Sequence, residues 1–98
     1  MAGNRFDWDP VKDRRNLVKH GLSFGLATAV FDDPDELTED ARVVDGETRL
    51  QTIGKVGQIV LFVVHTARLG SDGLLVIRMI SARVASRTER SRYERRKS

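Results

Sequence analysis

Arginine recurs wherever this sequence could do chemistry: Arg78 and Arg83 bracket IRMISAR, and Arg87, Arg90, Arg92, Arg95 and Arg96 follow within a Tyr-bearing helical stretch. The guanidinium stays charged at any physiological pH and grips phosphate through planar, bidentate forks. Arg68 follows an apolar run upstream, Lys12 and Lys19 lie near the start, and His20 and His65 add two imidazoles. Such a set offers cations for a phosphate and a general acid or base for proton transfer, so nucleic acid is the first partner it implies. No Ser-His-Asp set, phosphate loop or metal motif accompanies it. Two histidines without any cysteine make a poor zinc site, and no metal or cofactor is expected.

Each of these residues also has a purely structural use. His20, in Lys19-His20-Gly21, can cap the last carbonyls of a helix and complement its dipole. His65 lies inside an apolar strand and reads as a satisfied core residue. Tyr93 either packs its ring on a sheet or stacks on a nucleobase. Phe6 and Trp8 read as core.

Charge is unevenly spread along the 98 residues. Positions 1–50 carry seven basic and eleven acidic groups, net −4, while positions 51–98 carry ten and three, net +7. A field organised this way draws polyanions to the C-terminal half. The longest apolar run, Ile59 to Val64, is too short to span a bilayer, and MAGNRFDWDP has no secretory apolar core. The expectation is one cytoplasmic domain over 1–98, with no membrane contact.

The elements that must position these groups follow from local signals. Phe6 to Asp9 suits a short strand. Asp9-Pro10 then reads as N-cap and first helical position, with the helix running to His20 and Gly21 as its C-cap. Ser23 caps a second short helix through Phe31, which Pro34 stops. Asp32 to Asp40 holds six carboxylates and reads as a loop; a magnesium role is disfavoured without a phosphate-cradling partner motif. Arg42 to Val44 and Thr48 to Ile53 read as strands joined at Asp45-Gly46, the strongest hairpin signal in the chain. Ile59 to Thr66 and Leu74 to Ala82 read as buried strands joined at Gly70 to Gly73, and Ala85 to Arg96 as a polar helix. The order is strand, two helices, a meander of about four strands and a terminal helix, an α+β architecture.

Alternation places Phe62, Val64, Thr66 and Arg68 on one face and His65 on the other. In the partner strand it sets Arg78 and Arg83 on opposite faces. A hairpin closed at Gly70 to Gly73 holds Arg68 near Leu74 and leaves Arg83 roughly 30 Å down the sheet, unless a bulge intervenes.

Three stretches carry a likeness: FDWDPVKDRRNLVKHGLSFGLATAVFDDP, then GETR with IG, then IRMISARVASRTERSRY. In that order they make the chain resemble the BrnT toxins across nearly its whole length. The resemblance implies a RelE-like α+β fold, with a small antiparallel sheet, two N-terminal helices and a C-terminal helix. It implies a ribonuclease toxin of a type II toxin-antitoxin system that cleaves RNA without metal and so arrests translation and growth. A BrnA-like ribbon-helix-helix antitoxin is the implied partner, and DNA is touched only through it. By the same resemblance, His20 transfers the proton, Arg68 and Arg83 stabilise charge, and Tyr93 stacks on or orients the substrate. Lys12, Lys19 and Arg78 steer the RNA backbone. The rival reading is a non-catalytic module that binds nucleic acid or an acidic peptide and serves as a co-repressor.

Overall fold

The computed structural model describes residues 4–97, so positions 1–3 and 98 of the expected single domain lie outside the described residues. Helix α1 spans Pro10–His20. Asp9 caps it by accepting from the Val11 amide at 2.9 Å, Pro10 sits at its start, and Gly21, at φ 74°, closes it in the left-handed conformation that glycine tolerates. The second helix is shorter than its apolar spacing suggests. Ser23 caps α2, Phe24–Ala27, which tightens at once into a 3-10 turn over Thr28–Asp32.

Five strands form one sheet in the order β1 (Asn4–Asp7), β5 (Leu75–Val84), β4 (Ile59–Leu69), β3 (Glu47–Val56), β2 (Leu37–Val44). The expectation of a small antiparallel sheet is corrected here. β2 to β5 form an antiparallel meander, but β1 joins β5 in parallel, made possible by the crossover through α1 and α2. The hairpin at Asp45-Gly46 is present, with both residues at positive φ (51° and 77°) as a type I′ turn requires.

The acidic stretch is also corrected. Leu37 to Asp40 is strand, not loop, because its side chains alternate against Leu50 to Ile53 of β3. The carboxylate of Asp33 before it is consumed by structure, accepting from the Asp35 and Lys55 amides and from the Tyr93 hydroxyl.

One face of the sheet packs Leu61, Val63, Ile77, Met79 and Ala82 against Leu22, Phe24, Ala27 and Val30 of the helical layer. A Cβ on Gly54 would stand 3.0 Å from both the Cβ and the carbonyl of Val30, so glycine is what lets β3 pass beneath the 3-10 turn. On the other face, Ile53, Val60 and Phe62 meet Ala85 and Tyr93, the latter from α3, Arg87–Lys97. Helix α3 starts with a capping box: Ser86 Oγ accepts from the Glu89 amide, and Glu89 accepts in return from the Ser86 amide.

Candidate functional site

The strand β5 decides which cations can work together. Its register against β4 slips once: Val64 pairs with Ser81 but His65 pairs with Met79, so Ile80 is left unpaired as a bulge. The extra residue inverts the alternation beyond it. Arg78, opposite Thr66, and Arg83, opposite Phe62, therefore share the face that carries α3, which corrects the expectation that they point apart. Arg68, opposite Val76, lies on that face as well. From Phe62 to Arg68 is nonetheless about 20 Å of extended strand, so Arg68 and Arg83 do not converge on one phosphate.

The groups brought together lie at the edge of the sheet. β1 covers β5 only from Leu75 to Arg78, and beyond that point α1 runs alongside the uncovered edge. Asn16, buried on α1, takes the place of a strand there: its Oδ1 accepts from the Ala82 amide at 3.0 Å, and its Nδ2 donates to the carbonyls of Ala82 and Leu22. Lys12, Arg15, Lys19 and His20 line a shallow groove between this helix face and Ile80 and Ser81. Three of the expected site residues, Lys12, Lys19 and His20, thus meet in one groove. Arg15 joins them, and its spacing three after Lys12 and four before Lys19 makes that face legible in the sequence.

Arg83 is already engaged. Its two terminal nitrogens form a bidentate pair with Glu89 at 2.8 Å each, and its guanidinium lies 4.3 Å over the Phe62 ring. The hydrogen bond from Arg83 holds the Glu89 carboxyl below its ordinary range, and Glu89 in turn holds the guanidinium charged. To meet a phosphate, Arg83 must exchange one anion for another. Arg78 is paired with Asp7 at 2.7 Å, at the far end of the same face. Arg68 is exposed in the β4–β5 hairpin.

Tyr93 does not present a stacking surface. Only 1% of it is exposed, its ring fills the core under α3, and its hydroxyl donates to Asp33 at 2.6 Å. Burial, then the hydrogen bond and charge of Asp33, pushes the phenol well above its ordinary range. A residue so placed orders α3, and the expected base-stacking role has no ring face to use.

His65 is the buried core histidine its apolar neighbours suggest. Its Nε2 lies 2.7 Å from Thr52 Oγ1 and its Nδ1 3.2 Å from the Thr66 carbonyl, and burial lowers its pKa. Among the described residues no three His, Asp or Glu side chains gather as a metal site, and no helix is long and apolar enough to cross a membrane.

Fold and site together define a class: a small α+β protein whose sheet carries helices on both faces, with a row of arginines on the face that holds α3 and a cationic groove at its edge. The family follows from comparison with known proteins. A family model described as "Ribonuclease toxin, BrnT, of type II toxin-antitoxin system" matches residues 8–89, and the chain belongs to that family. Its members are ribonuclease toxins, which implies an RNA substrate and an antitoxin partner. A search of curated proteins found no match.

Proposed function

We propose that this toxin cleaves single-stranded RNA at the groove between α1 and the open edge of β5, without a metal ion. The observation that carries the reading is the convergence of His20, Lys12, Arg15 and Lys19 on one groove, beside Ser81 and two residues from Arg83. His20 takes the proton of a ribose 2′-hydroxyl, which attacks the adjacent phosphorus. Lys12, Arg15 and Lys19 neutralise the charge that grows on the phosphorane oxygens, and Arg83 adds its fork once it leaves Glu89. The P–O5′ bond breaks, the 5′-oxygen takes a proton from water, and a 2′,3′-cyclic phosphate remains. Arg68, about 20 Å of strand away from the position opposite Arg83, and Arg78, held by Asp7, hold flanking nucleotides.

The antitoxin is a BrnA-like ribbon-helix-helix protein that covers this surface, and DNA is reached only through that complex. RelE-like kinship belongs to the same reading. Purified protein is expected to cut labelled RNA in EDTA, and His20→Ala to slow cleavage by at least about a hundredfold, the lower bound for losing a general base. Arg83→Ala is expected to raise KM as well as lower kcat. Parental rates in both folded variants, or activity that appears only with added magnesium, overturn the mechanism.

A further inference from the structure

The face that carries Arg68, Arg78 and Arg83 extends across the sheet to two arginines that the groove does not use. Arg42 of β2 and Arg49 of β3 are direct cross-strand partners and so project to the same side. Like charges at directly opposite positions stand about 5 Å apart at Cβ and destabilise a strand pair. A pairing of this kind ordinarily comes with a carboxylate between the two. Here the nearest acids on that face are otherwise placed. Glu39 accepts from Arg92 of α3 and from Gln51, and Glu47, two residues before Arg49, makes no ion pair with either arginine among the described residues.

A second, independent feature marks the same spot. The Nε of Arg49 is shut off from solvent and has no hydrogen-bond partner, the one such side-chain atom among the described residues. A buried donor left unmatched costs about 1–3 kcal/mol, so the hairpin carries two unfavourable features at one place. An anion with several acceptor oxygens drawn between the two guanidinium groups relieves the like-charge contact, and a shift of the Arg49 side chain toward it gives the Nε an acceptor.

The surroundings say which anion. Continuing the β3–β4 register one step past Leu50 and His65 sets Arg49 beside Thr66, which pairs with Arg78, which pairs with Asp7 of β1. Arg42, Arg49 and Arg78 therefore lie in one row across the sheet, spanning roughly 14 Å at about 4.8 Å per strand. A row of forks across a sheet face suits the backbone of an extended polyanion more than an isolated carboxylate.

We propose that Arg42 and Arg49 form a phosphate subsite for the substrate RNA, one that holds a nucleotide remote from the scissile bond and takes no part in the chemistry. The subsite rests on the ribonuclease reading for its ligand and is distinct from the groove at His20. Its contribution appears only with RNA long enough to reach from the edge of β5 to β2.

The test compares the Arg42→Gln/Arg49→Gln protein with the wild type on a dinucleotide and on a long single-stranded oligonucleotide. The variant is expected to raise KM on the long RNA about tenfold, the worth of a charge-assisted hydrogen bond, and to leave kcat on the dinucleotide unchanged. Its binding to the oligonucleotide should depend less steeply on salt, the slope falling by about 0.7 for each phosphate that is no longer neutralised. Arg49→Lys keeps the charge without the fork and should recover only part of the KM. Thermal melting should show the double variant at least as stable as wild type, because the like-charge pair is gone.

Equal KM and equal salt slope on the long RNA overturn the subsite even if cleavage is intact. Unchanged RNA binding with weakened antitoxin binding also overturns it, and assigns the pair to the partner interface instead. A wild type that binds RNA with the expected arginine-dependent slope but cuts nothing leaves the subsite standing and removes the catalytic reading.

Discussion

Glu89 is bound on two sides, and the two sides can be separated by one atom. Its carboxylate accepts from the Ser86 amide as half of a capping box and clamps the Arg83 fork as a bidentate partner. Glutamine preserves the first interaction and weakens the second, since Glu and Gln both serve in capping boxes. Glu89→Gln is therefore expected to tighten RNA binding several-fold, measured by fluorescence anisotropy, because Arg83 no longer has to leave a charged partner. Stability should fall by about 1 kcal/mol, a small figure because Arg83 is partly exposed. The pH dependence follows from the lowered Glu89 pKa. The pair contributes stability above the ordinary carboxylate value of 4.5 and loses it as pH falls through the folded value, so wild type and variant converge in acid. RNA affinity unchanged in Glu89→Gln would mean that Arg83 never meets the substrate. The capping box is legible as Ser86-x-x-Glu89 in the sequence. The clamp is not, since it depends on which way Arg83 points, and that is set by an extra residue at Ile80 that alternation cannot reveal.

The helix α1 and the strand β5 are joined by a side chain acting as backbone. Asn16 offers one acceptor and one donor group to the edge of β5, where no strand continues among the described residues, and ties the same helix to the Leu22 carbonyl. Asn16→Ala strands the Ala82 amide and carbonyl in a buried place, and Asn16→Asp keeps the acceptor but opposes two carbonyls with a charge. Urea unfolding should show Asn16→Ala less stable by about 2–4 kcal/mol, with Asp no better. Cleavage should fall further than stability explains, because Lys12, Arg15 and His20 are positioned by that helix. If Asn16→Ala unfolds at the parental midpoint, the edge is held by other means.

At this scale the caps of α1 at Asp9 and Gly21, the I′ hairpin and the two apolar strands are all written locally, and the sequence is enough to place them. Local pattern does not carry the parallel partner of β1, the strand through Leu37 to Asp40 or the role of Asn16. Each of these depends on pairing with residues distant in the chain: Asn16 and Ala82 are 66 positions apart.

Across the whole molecule, folding undoes part of the charge segregation seen along the chain. The acidic turn and the start of β2 lie under α3, where Asp33 holds Tyr93, Glu39 holds Arg92, and the Glu36 carbonyl accepts from Arg96. The most basic segment is thus partly neutralised, and its aromatic ring is inside. Arg87, Arg90 and Arg95 remain on the outer side of α3, with Ser91 and Glu94 between them. The groove at α1 is less conspicuous in the sequence because its cations are interrupted by Asp13 and Asn16, yet the helical turn gathers them on one side.

Two variants with matched charge separate position from total field. Arg87→Gln/Arg90→Gln/Arg95→Gln and Lys12→Gln/Arg15→Gln/Lys19→Gln each remove three positive charges, taking the formal net charge from +3 to zero. Long-range attraction responds to the total and should slow RNA association alike in both. Interactions with the reacting phosphate respond to place. The groove variant is therefore expected to lose at least about a hundredfold in kcat/KM, as when donors to a developing oxyanion are removed, and the α3 variant less than about tenfold. Both effects are measurable as initial rates on one labelled RNA at fixed salt. Equal losses would mean that net charge alone governs activity and that the groove has no special claim on the scissile phosphate.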